Sequence, residues 1–445
     1  MKREQIVVLG AGIGGLLAAG AAAPYFDRVI VVEKDQLPDQ PLAEPVPRKG
    51  VPQGPQVHAI IKRGENTITG IFPDFPDRMR AAGSATVIAG WNLQVHEGGG
   101  WHPRRDFGFS IFAQTRALME QVIRGCLLDL ANVTLKAGCR FTGLDLSDNG
   151  AVKAVRISGD DPGGGDIAAD LVVDAMGRGS PMPKWLDDHG HGMVRRSRAG
   201  INIHYVTMLL RRPEAYRDSA DAWVIRATAP AKVRGATLIP IEGGRWLLTL
   251  ASRFGDLPPL DFPDCLEFAR SVEGGVLYDL IKDTEVTTAP RRFMVPEALL
   301  AHFDEMDDLP AGLLPLGDVI GNFNPMLAQG MTIASLHAES LGHCLQQLGK
   351  PGGDLQSVSH DYISAAVAIS ETAWQAAVNA DFAYPKTEGN RPPDLAEQQK
   401  FRRAVREIIE TDADLHKAAI DVQQMLQPGS ALARPDVLER VRELS

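Results

Sequence analysis

The stretch VVLGAGIGG, Val7–Gly15, decides how this chain folds. Residues Gln5 to Leu9 form a short apolar run of the kind buried in a parallel sheet. The chain then turns through Gly10-Ala11-Gly12-Ile13-Gly14-Gly15 into an alanine-rich helix ending near Pro24. Gly10 permits a tight bend, Gly12 lets the backbone approach a pyrophosphate, and Gly15 lets the helix pack closely on the strand. The helix N-terminus turns unpaired N–H groups toward phosphate charge. A second apolar strand, Arg28–Val32, ends at Glu33, about 20 residues on, where a carboxylate can hold a pair of ribose hydroxyls. Gly14 inside the turn and Lys34 beside the acid belong to the same candidate set. Strand, helix, strand and acid in register predict one half of a dinucleotide site.

The second half lies far along the chain, in GDVIGNFNPMLAQG, Gly317–Gly330. The apolar run Leu313–Leu316 delivers Gly317 and Asp318 at its C-terminal end, where open α/β sheets hold ligands. Asp318 can accept from a ribityl hydroxyl. Pro325 breaks the chain, and a helix opening near Gly330 and Met331 turns its dipole toward whatever lies in front of it. A chain that encloses a dinucleotide from both ends in this way predicts FAD.

Composition sets the frame. The sequence has 445 residues, 44% of them hydrophobic and 23% charged, as in an ordinary globular protein of two or three domains. A net charge of −10 argues against nucleic acid or an anionic membrane as the main partner. The cysteines Cys126, Cys139, Cys265 and Cys344 are widely spaced, which fits reduced thiols in a cytoplasm better than a disulfide framework. No leader precedes the first strand, and no apolar run approaches the length of a membrane span, so a soluble, cytoplasmic protein is expected.

The predicted fold is α/β: a Rossmann-type FAD-binding domain, an antiparallel-sheet substrate domain and a C-terminal helical region. The FAD-binding domain is discontinuous, residues 1–200 and 293–350. Residues 201–292 hold antiparallel-looking strands (INIHYVTMLL, AWVIRA, ATLIPI, RWLLTLA), with Gly243-Gly244 as a hairpin signal. Residues 351–445 read as helices over about 355–383, 395–426 and 431–443. The Pro- and Gly-rich stretch Gln36–Gln56 is a long loop of the functional kind.

These motifs resemble the FAD-dependent aromatic hydroxylase and epoxidase superfamily. The likeness is closer to the flavin epoxidases of polyether-antibiotic biosynthesis, which act on polyenes. It is carried by RKGVPQGPQVHA (Arg48–Ala59), LVVDAMGRGSP (Leu171–Pro181), FNPMLAQGM (Phe323–Met331) and the AW…DFAYP spacing (Ala373–Pro385). The resemblance implies a flavin C4a-hydroperoxide as oxidant, O₂ as co-substrate, and epoxidation of an alkene in a hydrophobic, polyketide- or isoprenoid-like molecule. It also implies that Arg116, in Gln114-Thr115-Arg116, contacts FAD, and that Arg48, Gln53 and His58 border flavin or active site. In one respect the chain departs from the pattern. Family members that take NADPH themselves usually carry Asp-Gly after the strand written here VVDAMGRGSP, where Met176 precedes Gly177. Direct use of NAD(P)H and supply through a separate flavin reductase both remain open.

Because the flavin is the oxidant, no protein residue is assigned as catalytic. Pocket candidates are His58, His204, Tyr205, Met208, Trp223, Leu238, Pro240, Phe323, Asn324, Met326 and Leu327, with Trp246 and Phe293 beside them. Trp374, Phe382 and Tyr384 are expected to cap the cavity. Strand alternation admits only half of the sheet residues to a pocket. The alternatives are an aromatic or quinolone ring hydroxylase, an FAD-dependent alkene reductase and a non-oxygenating flavoprotein. A halogenase is disfavoured because its WxWxIP signature is missing.

Overall fold

The computed structural model describes residues 3–38, 40–159, 164–348 and 354–443. A five-stranded parallel sheet runs in the order Leu313–Pro315, Leu171–Asp174, Arg3–Leu9, Phe26–Val32 and Val133–Lys136. Its central strand is covered on both faces, which is why Ile6, Val7 and Val8 are all apolar and fully buried. All strands point one way, so Gly10, Glu33, Ala175 and Leu316 emerge along the same edge. The helix Ile13–Ala22 rises from that edge. Gly10 has φ +100°, and a Cβ there would meet the Ala175 carbonyl oxygen at 2.6 Å. A Cβ on Gly15 would lie 1.9 Å from the Gly10 carbonyl oxygen. On Gly14 it would lie 2.9 Å from Leu316 and 3.3 Å from Ala334, so this glycine admits the helix Gly330–Leu348 against the first helix.

An eight-stranded sheet forms the second layer. Its order is Gly321–Asn322, Arg291–Ala301, Arg196–Arg211, Arg245–Arg253, Gly235–Ile241, Ala222–Ile225, Leu93–Glu97 and Gly100–Trp101. The sheet is wider than the expected span of 201–292. Leu93–Glu97, Gly100–Trp101 and Gly321–Asn322 pair onto its outer strands, whose edges would otherwise present unpaired backbone groups. The Gly243-Gly244 hairpin is present, with φ of +72° and +65° at the two glycines. One face of the sheet packs under the helices Phe262–Ser271 and Leu277–Ile281. The opposite face, carrying Tyr205, Thr207, Thr249 and Arg253, lies toward the long loop and the C-terminal helices.

The C-terminal region is helical, as expected, but the stretch read as one helix over 395–426 is two, Leu395–Ile409 and Ala413–Gln423. Asp412 makes the break: its carboxylate caps the new helix by accepting from the Leu415 N–H at 2.8 Å. Among the described residues, no helix is long and apolar enough to cross a membrane.

The close contact at Gly15 gives a direct test. Gly15→Ala is expected to lose stability at or beyond the upper end of the roughly 1–3 kcal/mol typical of overpacking, because the obstructing atom is backbone. Gly70→Ala is the control: its Cβ would meet nothing within 4 Å on the helix Lys62–Ile71, so it should hold or gain stability. Urea unfolding of both variants makes the comparison, and equal effects would contradict it.

Candidate active site

The first helix begins in the protein interior without a cap. Its N-cap residue, Gly12, offers no side chain, and its first turn carries no acid. Ala11 and Ile13 are nevertheless buried. A cationic side chain stands in front of this end: a Cβ on Gly12 would lie 3.7 Å from an Arg116 guanidinium nitrogen. Arg116 itself opens the helix Arg116–Leu128 behind the N-cap Thr115. The Thr115 N–H donates to Glu242 at 3.0 Å, and its hydroxyl donates to the same carboxylate at 2.5 Å, tying this helix to the sheet hairpin.

Glu33 is buried at the end of its strand, where one carboxylate oxygen accepts from the Ala11 N–H at 2.8 Å. Arg48, from the long loop, reaches Glu33 at 3.0 Å, Asp35 at 2.9 Å and Glu120 at 2.6 Å. These carboxylates hold its guanidinium charged despite burial. Glu120 also pairs with Arg116 at 3.4 Å. The loop thereby closes a groove of about 200 Å³ lined by Leu37, Pro47, Arg48, Arg116, Glu120 and Arg124. Lys34, next to Glu33, is exposed.

The second motif meets the first across the sheet edge. Asp318 sits beside the start of the helix Gly330–Leu348, its Oδ1 3.9 Å from where a Gly330 Cβ would be. Burial raises its pKa, and the nearby charges of Arg116 and Arg178 oppose that rise. Gly317 has φ +65°, and its N–H donates to Nδ1 of the buried His337 at 3.0 Å. With Nδ1 an acceptor, Nε2 carries the proton toward the Ser370 hydroxyl at 3.1 Å. Desolvation lowers the His337 pKa to about 3, so it is a neutral brace. Between Pro325 and the helix, Ala328 adopts a left-handed conformation, φ 55° and ψ 28°, which costs a non-glycine residue about 1–2 kcal/mol. Asn324 secures this turn by accepting from the Met326 N–H at 3.0 Å and donating to Asp381 at 2.7 Å. Met331 is packed into the main core.

The pocket candidates divide between the two faces of the sheet. Met208, Trp223, Leu238 and Trp246 pack in the core under the helices Phe262–Ser271 and Leu277–Ile281. Pro240 is paired with Trp246, and His204 with Ser252 and the half-exposed Met294. These six share one face of the sheet, since cross-strand partners lie on the same side; it packs on the helices Phe262–Ser271 and Leu277–Ile281 and, at His204, lies beside the half-exposed Met294. Tyr205 and Phe293 occupy the opposite face, packed with Met326, Trp374 and Phe382. Phe323 and Leu327 pack against Ile333 and Leu336 of the following helix. His58 lies on the loop, where its Nδ1–H donates to the Gln56 carbonyl at 2.8 Å. Burial and the Arg116 charge lower its pKa to about 3, leaving Nε2 as a bare acceptor. Gln56 anchors this loop to the sheet through Thr207 at 2.6 Å, which in turn meets Thr249 at 2.7 Å.

Three residues at this seam carry no signal in the local sequence. Glu242 lies in a hairpin, Arg253 ends a strand, and His337 falls mid-helix. Asp381 lies within the DFAYP spacing, which marked the segment without indicating its partner.

The arrangement fits FAD. A helix start with no side-chain cap and no acid in its first turn, and Arg116 with its Nε lacking a hydrogen-bond partner among the described residues, suit a pyrophosphate. Comparison with known proteins agrees. Residues 5–185 match the family model described as FAD dependent oxidoreductase. The chain is 28% identical over 356 residues to Protein Rv3254 of Mycobacterium tuberculosis (strain ATCC 25618 / H37Rv), covering 77% of this chain and 73% of that one. Its fold is similar to that of p-nitrophenol 4-monooxygenase PnpA from Pseudomonas putida DLL-E4, with 16% identity, a TM-score of 0.65 and coverage of 96% and 100%. It is similar as well to the flavin-dependent brominase Bmp2, with 13% identity, a TM-score of 0.67 and coverage of 99% of each chain. The chain thus has the fold of FAD-dependent monooxygenases.

The brace at His337 predicts a pH effect. Its folded pKa, about 3, lies below the ordinary 6.5, so its neutral form contributes full stability above pH 6.5. As pH falls toward 3, the unfolded chain takes up a proton that the folded one refuses, and stability drops by up to about 1.4 kcal/mol per pH unit. His337→Gln keeps an acceptor for Gly317 and should flatten this slope by about one proton between pH 6 and 4.5. An unchanged slope in urea unfolding would contradict the assignment.

Proposed function

We propose that this protein is an FAD-dependent monooxygenase that epoxidises a carbon–carbon double bond in a hydrophobic, polyketide- or isoprenoid-like small molecule. The observation that carries the reading is the helix start at Gly12, without a side-chain cap, set between the buried Ala11 and Ile13, faced by Arg116 and flanked by Glu33 and Asp318. In this reading Gly10, Gly12, Gly14 and Gly15 form the pyrophosphate turn, with Arg116 supplying charge. Glu33, braced by Arg48, holds the adenosine ribose, and Asp318 takes a ribityl hydroxyl. The N–H groups at Gly330 and Met331 face the pyrimidine edge of the flavin. Bound FAD supplies the activation of O₂ and the transfer of one oxygen atom.

The protein's own part is to hold substrate and exclude water. Tyr205, Phe293, Met326 and Trp374 gather on the sheet face opposite the helix-covered core, a mainly apolar wall. His58, neutral at physiological pH, serves as a hydrogen-bond acceptor and not as an acid. Electrons come from NAD(P)H, directly or through a separate flavin reductase. Hydroxylation of an electron-rich ring is the second reading, favoured by the Tyr205 hydroxyl on this face as a handle for a polar ring substituent.

Two measurements test the proposal. Gly12→Val and Asp318→Ala should each lower FAD occupancy after purification about 10-fold or more, and fully yellow variants would refute the cofactor assignment. Reduced holoprotein supplied with ¹⁸O₂ and a panel of linear polyenes and phenols should place one labelled oxygen in the product. Saturation of the alkene without label would point instead to a reductase.

A further inference from the structure

The face of the sheet turned toward Asn324 is not wholly apolar. Arg253, at the end of the strand Arg245–Arg253, forms an ion pair with Asp381 at 2.7 Å, the side chains being 7% and 1% exposed. Asn324 donates to the same Asp381 oxygen at 2.7 Å. One oxygen of the carboxylate therefore takes both bonds. The other oxygen, Oδ2, is buried with no hydrogen-bond partner among the described residues, and the same holds for Nη1 of Arg253 and the hydroxyl of Tyr205. Tyr205 is within electrostatic reach of both charges, and burial holds its hydroxyl firmly protonated. The cluster lies where the sheet, the Asn324 turn and the end of the helix Leu355–Asp381 come together.

Buried polar atoms are ordinarily bonded, and each one left without a partner costs about 1–3 kcal/mol. Here three unpaired polar groups occur in one cluster, of complementary kinds: a donor on Arg253, an acceptor on Asp381, and a hydroxyl that can do either. Their formal charges cancel. A carboxylate or phosphate entering this cluster would satisfy Arg253 but meet Asp381 as a like charge. A hydroxyl or enol oxygen can accept from Arg253 or Tyr205 and donate to Asp381 without adding charge.

We propose that Arg253, Asp381 and Tyr205 form a polar subsite at the end of the substrate pocket that selects a molecule carrying an uncharged hydroxyl or enol oxygen and rejects a carboxylate. The inference rests on the monooxygenase reading for the location of the pocket and deepens it by naming the polar end of the substrate. Asn324 acts as a positioning residue, holding Asp381 through its other oxygen and joining the subsite to the strained turn at Ala328.

Binding tests this independently of turnover. FAD-loaded protein is titrated calorimetrically with 4-ethylphenol, 4-ethylbenzoate and ethylbenzene, probes that share a body and differ in their polar end. The phenol should bind more tightly than ethylbenzene, and the benzoate more weakly than the phenol. Tyr205→Phe should weaken phenol binding about 5- to 10-fold, with ethylbenzene binding and flavin content unchanged. Because Arg253→Met alone would strand a buried carboxylate, the second variant is the pair Arg253→Met with Asp381→Leu. Such apolar replacement of a buried ion pair is often tolerated, and it should abolish the preference for the phenol. Phenol binding no tighter than ethylbenzene, including no measurable binding, overturns the subsite. So does benzoate binding equal to or tighter than phenol, or a phenol preference that survives both variants. Failure to incorporate labelled oxygen would overturn the monooxygenase reading while leaving this binding result to stand or fall alone.

Discussion

The first helix starts behind buried Ala11 with no side chain among the described residues capping its leading N–H groups. Such an end is unfavourable unless an anion completes it, since the orphan donors and the dipole both call for negative charge. Much of the surrounding architecture serves this one demand. Gly10 and Gly15 lack the Cβ that would strike the Ala175 and Gly10 carbonyl oxygens, Gly14 admits a second helix behind the first, and Arg116 adds a cation in front. Arg48 then binds three carboxylates at once and so fastens the long loop over the groove.

A second constraint comes from the eight-stranded sheet. Its helix-covered face holds the bulk of the aromatic and aliphatic side chains, among them Trp223, Trp246, Met208 and Leu238. The other face mixes apolar residues with Thr207, Thr249, Tyr205 and Arg253, each tied to or directed at a neighbouring element. Polar groups with unpaired buried atoms, on Tyr205 and Arg253, fall on this second face, where a ligand could offset their cost.

The parallel layer was legible from the sequence because its signals are local: an apolar run, glycines at fixed offsets and an acid at the end of the next strand. The hairpin at Gly243-Gly244 was legible for the same reason. Which side of the sheet each residue faces was not. Alternation gives a period of two but no phase, and the long strand Arg196–Arg211 changes register between Gly200 and Ile203, with Asn202 at φ 41°. Past that irregularity His204 and Tyr205 take opposite faces, His204 beside Ser252 and Met294, Tyr205 packed with Val378 and Phe382. Met208, Trp223, Leu238 and Trp246 pack under helices that follow later in the chain, neighbours that strand alternation alone does not reveal. The pairing of Arg253 with Asp381 joins distant segments, and neither residue's local context announces the other.

The central claim is that this scaffold holds a flavin that activates oxygen, and rapid mixing tests it most directly. FAD-loaded protein is photoreduced without oxygen, mixed with oxygenated buffer and followed from the near ultraviolet to the visible. The account predicts a transient near-ultraviolet species that forms in proportion to O₂ and precedes the return of the oxidised flavin spectrum, with its lifetime extended by a bound phenol or polyene. Direct return of the oxidised spectrum, with no transient in the presence or absence of such a ligand, would contradict it.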